Sequence, residues 1–296
     1  MILVIGNVVV DISYDVPSLP RSGETLVASS VVTDVGGKGF NQAVVCHRSG
    51  SSVRLVAAVG NDPEGQLIKD NVSDCGLTLP DLAQQEGATD RSIIYVSDTG
   101  ENCIVSTTDM TRSLAIDDAE PLLKALTPDD TLLLQGNLTE TMTETVLRQA
   151  CSQGARTIVN PAPITFDYQR LWPLIKVAVV NEIEGEILTK ASDADGVAKR
   201  LLDFGVELVL VTLGRDGVFL CDANDGRQLK APAVQAVDST GAGDVFCGVV
   251  AAAFDQRMNA ETACRWAVSA ASLSVTRRGT LRAFPSNSEL SDLRPI

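Results

Sequence analysis

Histidine is nearly absent from this chain, and its scarcity removes two common kinds of catalytic centre. The only histidine among 296 residues is His47, which lies in a predicted helix without a second histidine nearby. Histidine-based zinc sites and Ser-His-Asp catalysis therefore have little to build on. Cysteine is present but scattered: seven single cysteines between Cys46 and Cys264 show neither zinc-ligand spacing nor a disulfide framework. Reduced thiols in a cytoplasmic protein are the expected state.

Long apolar runs are also missing. No stretch reaches the roughly 18 consecutive apolar residues that a membrane-spanning helix needs. The short apolar run at residues 1–5 lacks the basic start and the long apolar segment of a signal peptide. These two absences predict a cytoplasmic location and no membrane partner.

Basic residues are outnumbered, and this imbalance restricts the partners. The chain has 24 lysine and arginine residues against 38 aspartate and glutamate residues, a net charge of −14. Such a charge repels a phosphate backbone, so nucleic acid is a poor partner. An anionic substrate must then be held by local dipoles, by basic side chains or by a metal. With 45% hydrophobic residues the chain has enough apolar material for a large core.

What the sequence does contain is a regular alternation of short apolar strands and amphipathic helices. This alternation predicts an α/β fold, a doubly wound and mainly parallel sheet with helices on both faces. The predicted strands are residues 1–5, 53–59, 131–134, 155–159, 177–180 and 208–211, and the predicted helices include 140–150, 193–204, 242–254 and 260–275. A chain of this length could hold two domains, but such folds often form one, and we predict a single domain over residues 1–296.

Two segments interrupt the alternation, at about residues 12–34 and 90–108. The first contains Pro17, Pro20 and Gly23, followed by a run rich in β-branched residues. The second is typical of a hairpin, with strands at 93–96 and 103–107 and a turn at 98–100. Together they predict a small, discontinuous β-sheet lid that stands off the main sheet over a cleft. Ordinary surface hairpins would account for the same pattern.

The most informative segment is residues 237–244, Val-Asp-Ser-Thr-Gly-Ala-Gly-Asp, which precedes an apolar stretch. Its glycines lie where a loop becomes a helix, and they allow the backbone to approach a ligand closely. The amides at that helix start, together with the helix dipole, form a site for an anion. A carboxylate in the same turn, Asp244, suits a base that takes a proton from a hydroxyl attacking a phosphate. An acidic first turn on a core helix would explain Asp244 alone, but not the glycines.

A second glycine-rich segment, residues 36–41, is also predicted at a strand-to-helix junction. Lys38 and Asn41 can hydrogen-bond hydroxyls or phosphate oxygens, although a Gly-rich turn is often only a turn. The Walker A spacing is absent. Asp11 follows the first strand, near the edge where open α/β sheets bind ligands. Its carboxylate can accept hydrogen bonds from sugar hydroxyls, or it can be an ordinary solvated loop residue.

Three further segments carry weaker signals. Residues 181–184, Asn-Glu-Ile-Glu, follow a strand, where carboxylates suit either a hydrated Mg²⁺ or a helix start. Residues 212–217, Thr-Leu-Gly-Arg-Asp-Gly, link two strands through a tight loop, and in isolation a plain hairpin is the better explanation. Residues 276–279, Thr-Arg-Arg-Gly, end a long apolar helix, where the helix dipole alone favours basic residues.

In this order the segments resemble the motifs of the ribokinase family of sugar kinases, and the resemblance covers almost the whole chain. The matching motifs are those at residues 36–41, 160–163 (Asn-Pro-Ala-Pro), 181–184, 212–214, 238–244 and 276–279. The motif at 238–244 is highly specific by itself. The resemblance implies a ribokinase-like α/β domain with a β-sheet lid, ATP as the phosphoryl donor, and a hydroxymethyl group of a sugar-like molecule as the acceptor.

Carried over position by position, the resemblance implies a role for each motif. Asp244 is the expected catalytic base, and the amides of Gly241, Ala242 and Gly243 are the expected anion hole. The expected sugar-binding residues are Asp11, Gly37, Lys38 and Asn41. The expected nucleotide-binding residues are Asn181 and Glu184 at the Mg²⁺-ATP phosphates, with Glu184 holding Mg²⁺ through water, and Thr212, Gly214 and Gly217 beside the nucleotide. The loops expected to wrap a monovalent cation contain Asp238, Thr240, Arg277 and Gly279.

Two positions depart from the family pattern. Asn137 stands where the family has a glutamate that contacts the sugar, and an amide is neutral and can donate as well as accept. A changed acceptor preference is therefore open, with a pentose such as ribose as the first expectation and a hexose or a nucleoside as alternatives. Ala283 stands where the family has a serine that ligates the cation, which leaves activation by K⁺ undecided.

Two interpretations of other classes compete with a kinase. A nicotinamide-dependent dehydrogenase would need Gly-x-Gly-x-x-Gly after the first strand, and the chain instead has Gly-Asn-Val-Val-Val-Asp at residues 6–11. A catalytically silent sugar-binding regulator would have no need of a base beside an anion hole, and Asp244 and its glycines are intact. The exposed strand edges of a lid further predict a homodimer that pairs lid against lid, as in several members of the family.

Overall fold

The computed structural model describes residues 1–78, 81–99 and 101–295, and the α/β alternation predicted from the sequence is present in them. The strands are β1 (Ile2–Ile5), β2 (Val9–Val16), β3 (Ser30–Gly36), β4 (Val53–Gly60), β5 (Leu82–Gln85), β6 (Arg91–Ser97), β7 (Asn102–Ser106), β8 (Thr131–Gln135), β9 (Arg156–Asn160), β10 (Val177–Asn181), β11 (Leu208–Thr212), β12 (Val218–Asp222) and β13 (Gly226–Leu229). The helices are α1 (Lys38–Arg48), α2 (Pro63–Asp74), α3 (Asp109–Arg112), α4 (Ile116–Lys124), α5 (Glu140–Ser152), α6 (Glu182–Thr189), α7 (Ala194–Asp203), α8 (Ala242–Asp255), α9 (Ala260–Ser274) and α10 (Asn287–Leu293).

The main sheet has the order β13-β12-β11-β10-β9-β8-β1-β4-β5 within the described residues. Its strands from β11 to β5 pair in parallel, whereas β12 and β13 add an antiparallel edge. Alternate residues of β1 enter different cores: Ile2 and Val4 belong to the core that includes residues of α1, α8 and α9, and Leu3 and Ile5 belong to the core that includes residues of α5 and α7. Because successive side chains of a strand point to opposite faces, helices cover both faces, and the predicted doubly wound fold is confirmed.

A second, four-stranded sheet has the order β3-β2-β6-β7. Its strands come from the two segments that interrupt the α/β alternation, but β2 starts at Val9 and β3 ends at Gly36, outside the predicted bounds of 12–34. The strands β6 and β7 pair in antiparallel fashion, as a hairpin requires. Gly100, in the predicted turn at 98–100, lies outside the described residues. The single-domain organisation and the action of this sheet as a lid stay predictions.

The carboxyl ends of the central strands bring distant segments of the chain together. In the register of the sheet, Ile5 pairs with Leu134, Gln135 with Asn160, and Asn181 with Thr212. The loops that follow β1, β8, β10 and β11 therefore leave from one edge, which is where open α/β sheets bind ligands. No helix in the described part of the chain is long and apolar enough to cross a bilayer.

A close contact between α1 and α8 completes this edge. A side chain on Gly248 would place its Cβ 2.7 Å from Val45 Cβ and 2.9 Å from the backbone oxygen of Gln42. The absence of a side chain at this position lets the two helices approach closely. As a result, the first turns of α1 and α8 face each other at the carboxyl end of the sheet.

Candidate active site

A buried carboxylate, Asp244, lies in the first turn of α8 and is 4% exposed. Asn41 donates from Nδ2 to Asp244 Oδ2 at 2.9 Å, and Gln42 donates from Nε2 to Asp244 Oδ1 at 3.0 Å. The ammonium group of Lys38 lies 3.7 Å from Oδ1. A buried charge is tolerated when it is paired and hydrogen-bonded, and α1 supplies all three of these partners.

The ammonium group of Lys38 responds to the same carboxylate. The charge of Asp244 raises the pKa of Lys38 above its ordinary value, against the opposing effect of burial. Gly37, the N-cap of α1, has a φ of 99°, a backbone conformation that favours glycine. The predicted strand-to-helix junction therefore exists, and it directs Lys38 and Asn41 toward α8.

The glycines at the start of α8 have different physical roles. Gly241 is the N-cap with a φ of 77°, and a Cβ on it would lie 2.6 Å from Phe284 Cε1. Gly243 has a helical backbone, and a Cβ on it would meet nothing within 4 Å. Packing thus explains Gly241, whereas the space beside Gly243 is open. That space belongs to a cleft.

The cleft at this edge has a volume of about 240 Å³. Seven of the predicted site residues line it together: Lys38, Asn181, Glu184, Thr212, Gly241, Gly243 and Asp244. Asn160, Ser239 and Cys247 line it as well. Asn160 and Ser239 lie inside motifs that the sequence analysis recognised, but neither was predicted as a site residue. Cys247 follows Asp244 on the same helix, and burial raises the pKa of its thiol, which keeps it protonated.

Asn181 and Glu184 form a reciprocal helix cap at the mouth of the cleft. Asn181 Oδ1 accepts a hydrogen bond from the Glu184 amide at 2.8 Å, and Glu184 Oε2 accepts one from the Asn181 amide at 2.9 Å. Both interpretations of this segment are thus compatible, because the pair starts α6 and also lines the cleft.

Asp11 lies on β2, at the base of the four-stranded sheet, and is only partly exposed. Its carboxylate packs against Gly36, where a Cβ would come 2.0 Å from Oδ2. Burial raises the pKa of Asp11 to about 6; a hydrogen bond from Ser92 opposes this, and the charges of Asp34 and Asp244 add to it. The carboxylate is therefore poised between its two protonation states in the weakly acidic range.

Two amide oxygens of predicted sugar-binding residues are buried without a hydrogen-bond partner among the described residues. They are Asn41 Oδ1 and Asn137 Oδ1. Buried polar atoms are nearly always hydrogen-bonded in native proteins, so an orphaned acceptor calls for an explanation. A ligand that brings hydroxyl donors would satisfy both atoms.

The segment 212–217 is a hairpin connection, as the plain explanation predicted. β11 and β12 pair in antiparallel fashion around a short 3₁₀ turn at Gly214–Asp216. A Cβ on Gly217 would come 2.0 Å from the backbone oxygen of Leu229, so strand packing accounts for that glycine. Thr212 reaches the cleft, and the placement of Gly214 and Gly217 beside a nucleotide stays a prediction.

Asp238 joins the two loops predicted to wrap a monovalent cation. Its Oδ1 accepts from the Thr240 amide and its Oδ2 from the Gly279 amide, each at 2.9 Å. Burial acts to raise the pKa of Asp238, but these amide donors outweigh it and lower the pKa. The guanidinium of Arg277 pairs with Glu289 on α10 instead of pointing into the loops. No cluster of three or more His, Cys, Asp or Glu side chains suited to a metal occurs among the residues described, so backbone oxygens would have to supply most ligands.

A larger depression, of about 440 Å³, lies beside Arg48, Arg277 and Glu289. Its three arginines are engaged: Arg277 pairs with Glu289, Arg282 pairs with Asp34, and Arg48 donates to the carbonyls of Leu281 and Phe284. It holds no carboxylate next to a glycine-rich helix start. The smaller cleft at Asp244 is therefore the better candidate for chemistry.

Sequence reasoning missed two buried glutamines beside the base. Gln42 and Gln135 are both 0% exposed, and Gln135 donates from Nε2 to Gln42 Oε1 at 2.8 Å. The available signal was an uncharged polar residue within an otherwise apolar element: Gln42 among the buried positions of α1, and Gln135 at the end of the apolar strand β8.

Comparison with known proteins places this geometry in a family. A model of the pfkB family of carbohydrate kinases matches residues 1–287. A ribokinase of Haemophilus influenzae is 32% identical over 293 residues, which is 97% of this chain and 95% of the relative. The crystal structure of a ribokinase from Thermotoga maritima has a TM-score of 0.90 at 30% identity and covers 99% of this chain and 98% of that one. A ribokinase of Arabidopsis thaliana, solved with ribose and ATP, has a TM-score of 0.89 at 26% identity, covering 100% and 98%.

The two glycines at the start of α8 give a matched pair of variants. Gly241→Ala should lower the melting temperature by roughly 2–5 °C, since it forces a left-handed alanine against Phe284. Gly243→Ala should leave the melting temperature unchanged or slightly higher, because its methyl group enters open space within a helix. Differential scanning calorimetry measures both, and equal destabilisation by the two substitutions would contradict the assignment of Gly243 to the cleft.

Proposed function

Because the chain belongs to the pfkB family of carbohydrate kinases, we propose that it transfers the γ-phosphoryl group of ATP to a hydroxymethyl group of a sugar. Ribose is the first candidate acceptor, in line with the names of its relatives. The observation that carries this proposal is the Asp244 carboxylate, which lies at the glycine-rich start of α8 and faces the cleft. The family and the enzyme class predicted from the sequence are confirmed.

Asp244 is the proposed general base. It would take the proton of the acceptor hydroxyl while that oxygen forms a bond to the γ-phosphorus. The bond from the γ-phosphorus to the bridging oxygen breaks, and ADP leaves with that oxygen. Since such reactions depend mainly on positioning and on charge stabilisation, the fixed orientation of the carboxylate between Asn41 and Gln42 supports this role.

The amides of Gly241, Ala242 and Gly243 are the proposed anion hole. They lie at the start of a long helix, where the dipole favours negative charge, and the open space at Gly243 lets a phosphoryl group approach. When bound, Mg²⁺ supplies charge neutralisation at the phosphates. Asn181 and Glu184 would hold it through water, an arrangement that suits the few protein ligands Mg²⁺ requires.

The acceptor would lie between α1 and the base of the four-stranded sheet. Asp11 would accept hydrogen bonds from paired hydroxyls, and the orphaned oxygens of Asn41 and Asn137 would accept others. Lys38 and the backbone at Gly37 would complete the sugar site. The neutral Asn137 keeps a hexose or a nucleoside open as an alternative acceptor.

A monovalent cation such as K⁺ could bind in the loops that Asp238 joins. The lowered pKa of Asp238 keeps this carboxylate ionised at neutral pH, which suits a cation site. Ala283 provides no side-chain oxygen, so any K⁺ would have one ligand fewer than in the family pattern. Activation by K⁺ is therefore expected to be weak.

Replacing the base gives the direct test of the proposed function. Asp244→Asn should lower turnover by about 10²–10⁴-fold because the acceptor hydroxyl loses its proton acceptor, while the fold is retained. Release of ADP in the presence of Mg²⁺, with and without K⁺, should be measured across pentoses, hexoses and nucleosides. Asp244→Ala and a melting curve serve as controls. Near-normal phosphorylation by either variant would contradict the role of Asp244, and sugar binding without ADP release by the unmodified protein would favour a regulator.

Sugar affinity should depend on pH through Asp11. The pKa of about 6 belongs to the folded protein without sugar, and hydroxyl donors prefer the ionised carboxylate, so protonation competes with binding. Affinity should be constant above about pH 7 and roughly tenfold weaker at about pH 5. Calorimetric titration of ribose into the unmodified protein without ATP measures this effect, because replacing Asp244 would itself lower the pKa of Asp11. In Asp11→Asn the pH dependence should vanish, and equal affinities at both pH values in the unmodified protein would contradict the assignment.

The four-stranded sheet is the proposed contact with a second copy of this chain. Its edge strands β3 and β7 expose Val31, Val32, Ile104 and Val105, each more than 40% accessible. Unpaired strand edges are normally covered, and a second copy of this sheet would cover them.

Sedimentation at micromolar concentration should therefore show a homodimer. Ile104→Asp should shift it to the monomer, because a charge would enter the apolar contact. Ile187→Asp changes an exposed isoleucine on α6, outside this sheet, and should leave the dimer intact. A monomeric and active unmodified protein would refute the proposal.

A further inference from the structure

A hydrogen-bonded chain of two buried glutamines leads to Asp244. Gln135, at the end of β8, donates from Nε2 to Gln42 Oε1 at 2.8 Å, and Gln42 donates from Nε2 to Asp244 Oδ1 at 3.0 Å. The chain connects the central sheet, α1 and α8 within the core. Both glutamines are fully buried.

The carboxylate sets the direction of this chain. An ionised carboxylate only accepts hydrogen bonds, so the Gln42 amide must turn its nitrogen toward Asp244. Its oxygen then faces Gln135, which must present its own nitrogen. Gln135 Oε1 is left against Gly6, buried and without a partner among the described residues.

This unpaired oxygen indicates that packing alone does not require the hydrogen-bonded pair of glutamines. Leucines at both positions would fill similar volumes and remove the unpaired oxygen of Gln135, but they would leave Asp244 Oδ1 without the donor of Gln42. At one end of this hydrogen-bonded pair an amide oxygen stays unpaired, and at the other end an oriented amide group donates to the base.

We propose that Gln42 and Gln135 are positioning residues that fix the orientation of the base. This proposal rests on the role of Asp244 given above. The bond from Gln42 holds Oδ1, the oxygen that also faces Lys38, and the acceptor hydroxyl is assigned to Oδ2. Oδ2 is held by Asn41, whose own Oδ1 has no partner. A carboxylate oxygen has two lone pairs, so Oδ2 can accept the acceptor hydroxyl beside the bond from Asn41 while Gln42 keeps the carboxylate in place.

Removal of the Gln42 donor should slow the chemical step without weakening sugar binding. In Gln42→Leu, the single-turnover rate of phosphoryl transfer should fall about 10- to 100-fold, since a hydrogen bond to a charged group is lost. The dissociation constant for ribose should stay within about twofold, because in this proposal Gln42 does not contact the sugar. Rapid quenching measures the rate, and calorimetry measures the binding.

A matched control lies at the opposite end of the same helix pair. Gln256, just after α8, donates to the backbone oxygen of Ser49, just after α1, at 2.8 Å. Gln256→Leu should lower the melting temperature to a degree comparable with Gln42→Leu, yet leave the transfer rate unchanged. If both variants slow the reaction equally, the effect comes from helix packing and the proposal is overturned.

Gln135→Leu provides a second test that keeps a donor beside the base. It should slow transfer by about 2- to 10-fold, because the Gln42 amide is no longer held in one orientation. Added to Gln42→Leu, it should have almost no further effect, since the two act in series. Additive losses, or an unchanged transfer rate in a folded Gln42→Leu, would overturn the proposal. Either result combined with an inactive Asp244→Asn would leave the role of the base standing.

Discussion

The burial of one charge at the contact of two helices governs the geometry of this site. An isolated carboxylate as buried as Asp244 would cost several kcal/mol or bind a proton. It is stabilised by three groups of α1, namely Lys38, Asn41 and Gln42, which lie some 200 residues away in the sequence. These bonds form only if α1 and α8 approach closely, and the missing side chain at Gly248 makes that approach possible. The close packing of these two helices therefore also fixes the position of the base.

The position of α1 beside α8 also connects the four-stranded sheet to the reaction. β2 leaves the main sheet directly after β1 and carries Asp11, and β3 returns to Gly36 at the start of α1. Within the sheet, Val9 pairs with Gly36 and Asp11 with Asp34. Apart from Asn137, which follows β8, the residues proposed to bind the sugar therefore stand on the strands of the four-stranded sheet and at the start of α1, the helix whose side chains hydrogen-bond Asp244. A movement of that sheet toward the cleft would shift Asp11 together with the start of α1.

Local sequence patterns predicted much of this arrangement, and tertiary contacts account for the rest. The alternation of apolar runs located β1, β4 and β8 to β11. The glycines at 241 and 243 pointed to Asp244, because the start of a helix is determined by residues close to it in the sequence. Gln42 and Gln135 gave no such signal: their roles depend on partners 202 and 93 residues away. The first segment of the four-stranded sheet extends slightly beyond the approximate bounds of 12–34, because β2 starts at Val9, with only three residues between it and the end of β1, and β3 runs to Gly36 at the start of α1.

Charge decides how such an acidic protein can hold two polyhydroxylated substrates, one of them an anion. The cleft and its surroundings contain Asp11, Asp34, Glu184 and Asp244 against Lys38 and against Arg282, which pairs with Asp34. Burial is the main cause of the raised pKa of Asp11, and the charges of Asp34 and Asp244 add to it. A further carboxylate at position 137 would add to this repulsion. Asn137 instead offers a neutral amide with a buried, unpartnered oxygen. In the proposed function, recognition by this residue would depend on the direction of hydrogen bonds instead of on charge, so acceptors that differ in the orientation of one hydroxyl are the ones it would tell apart.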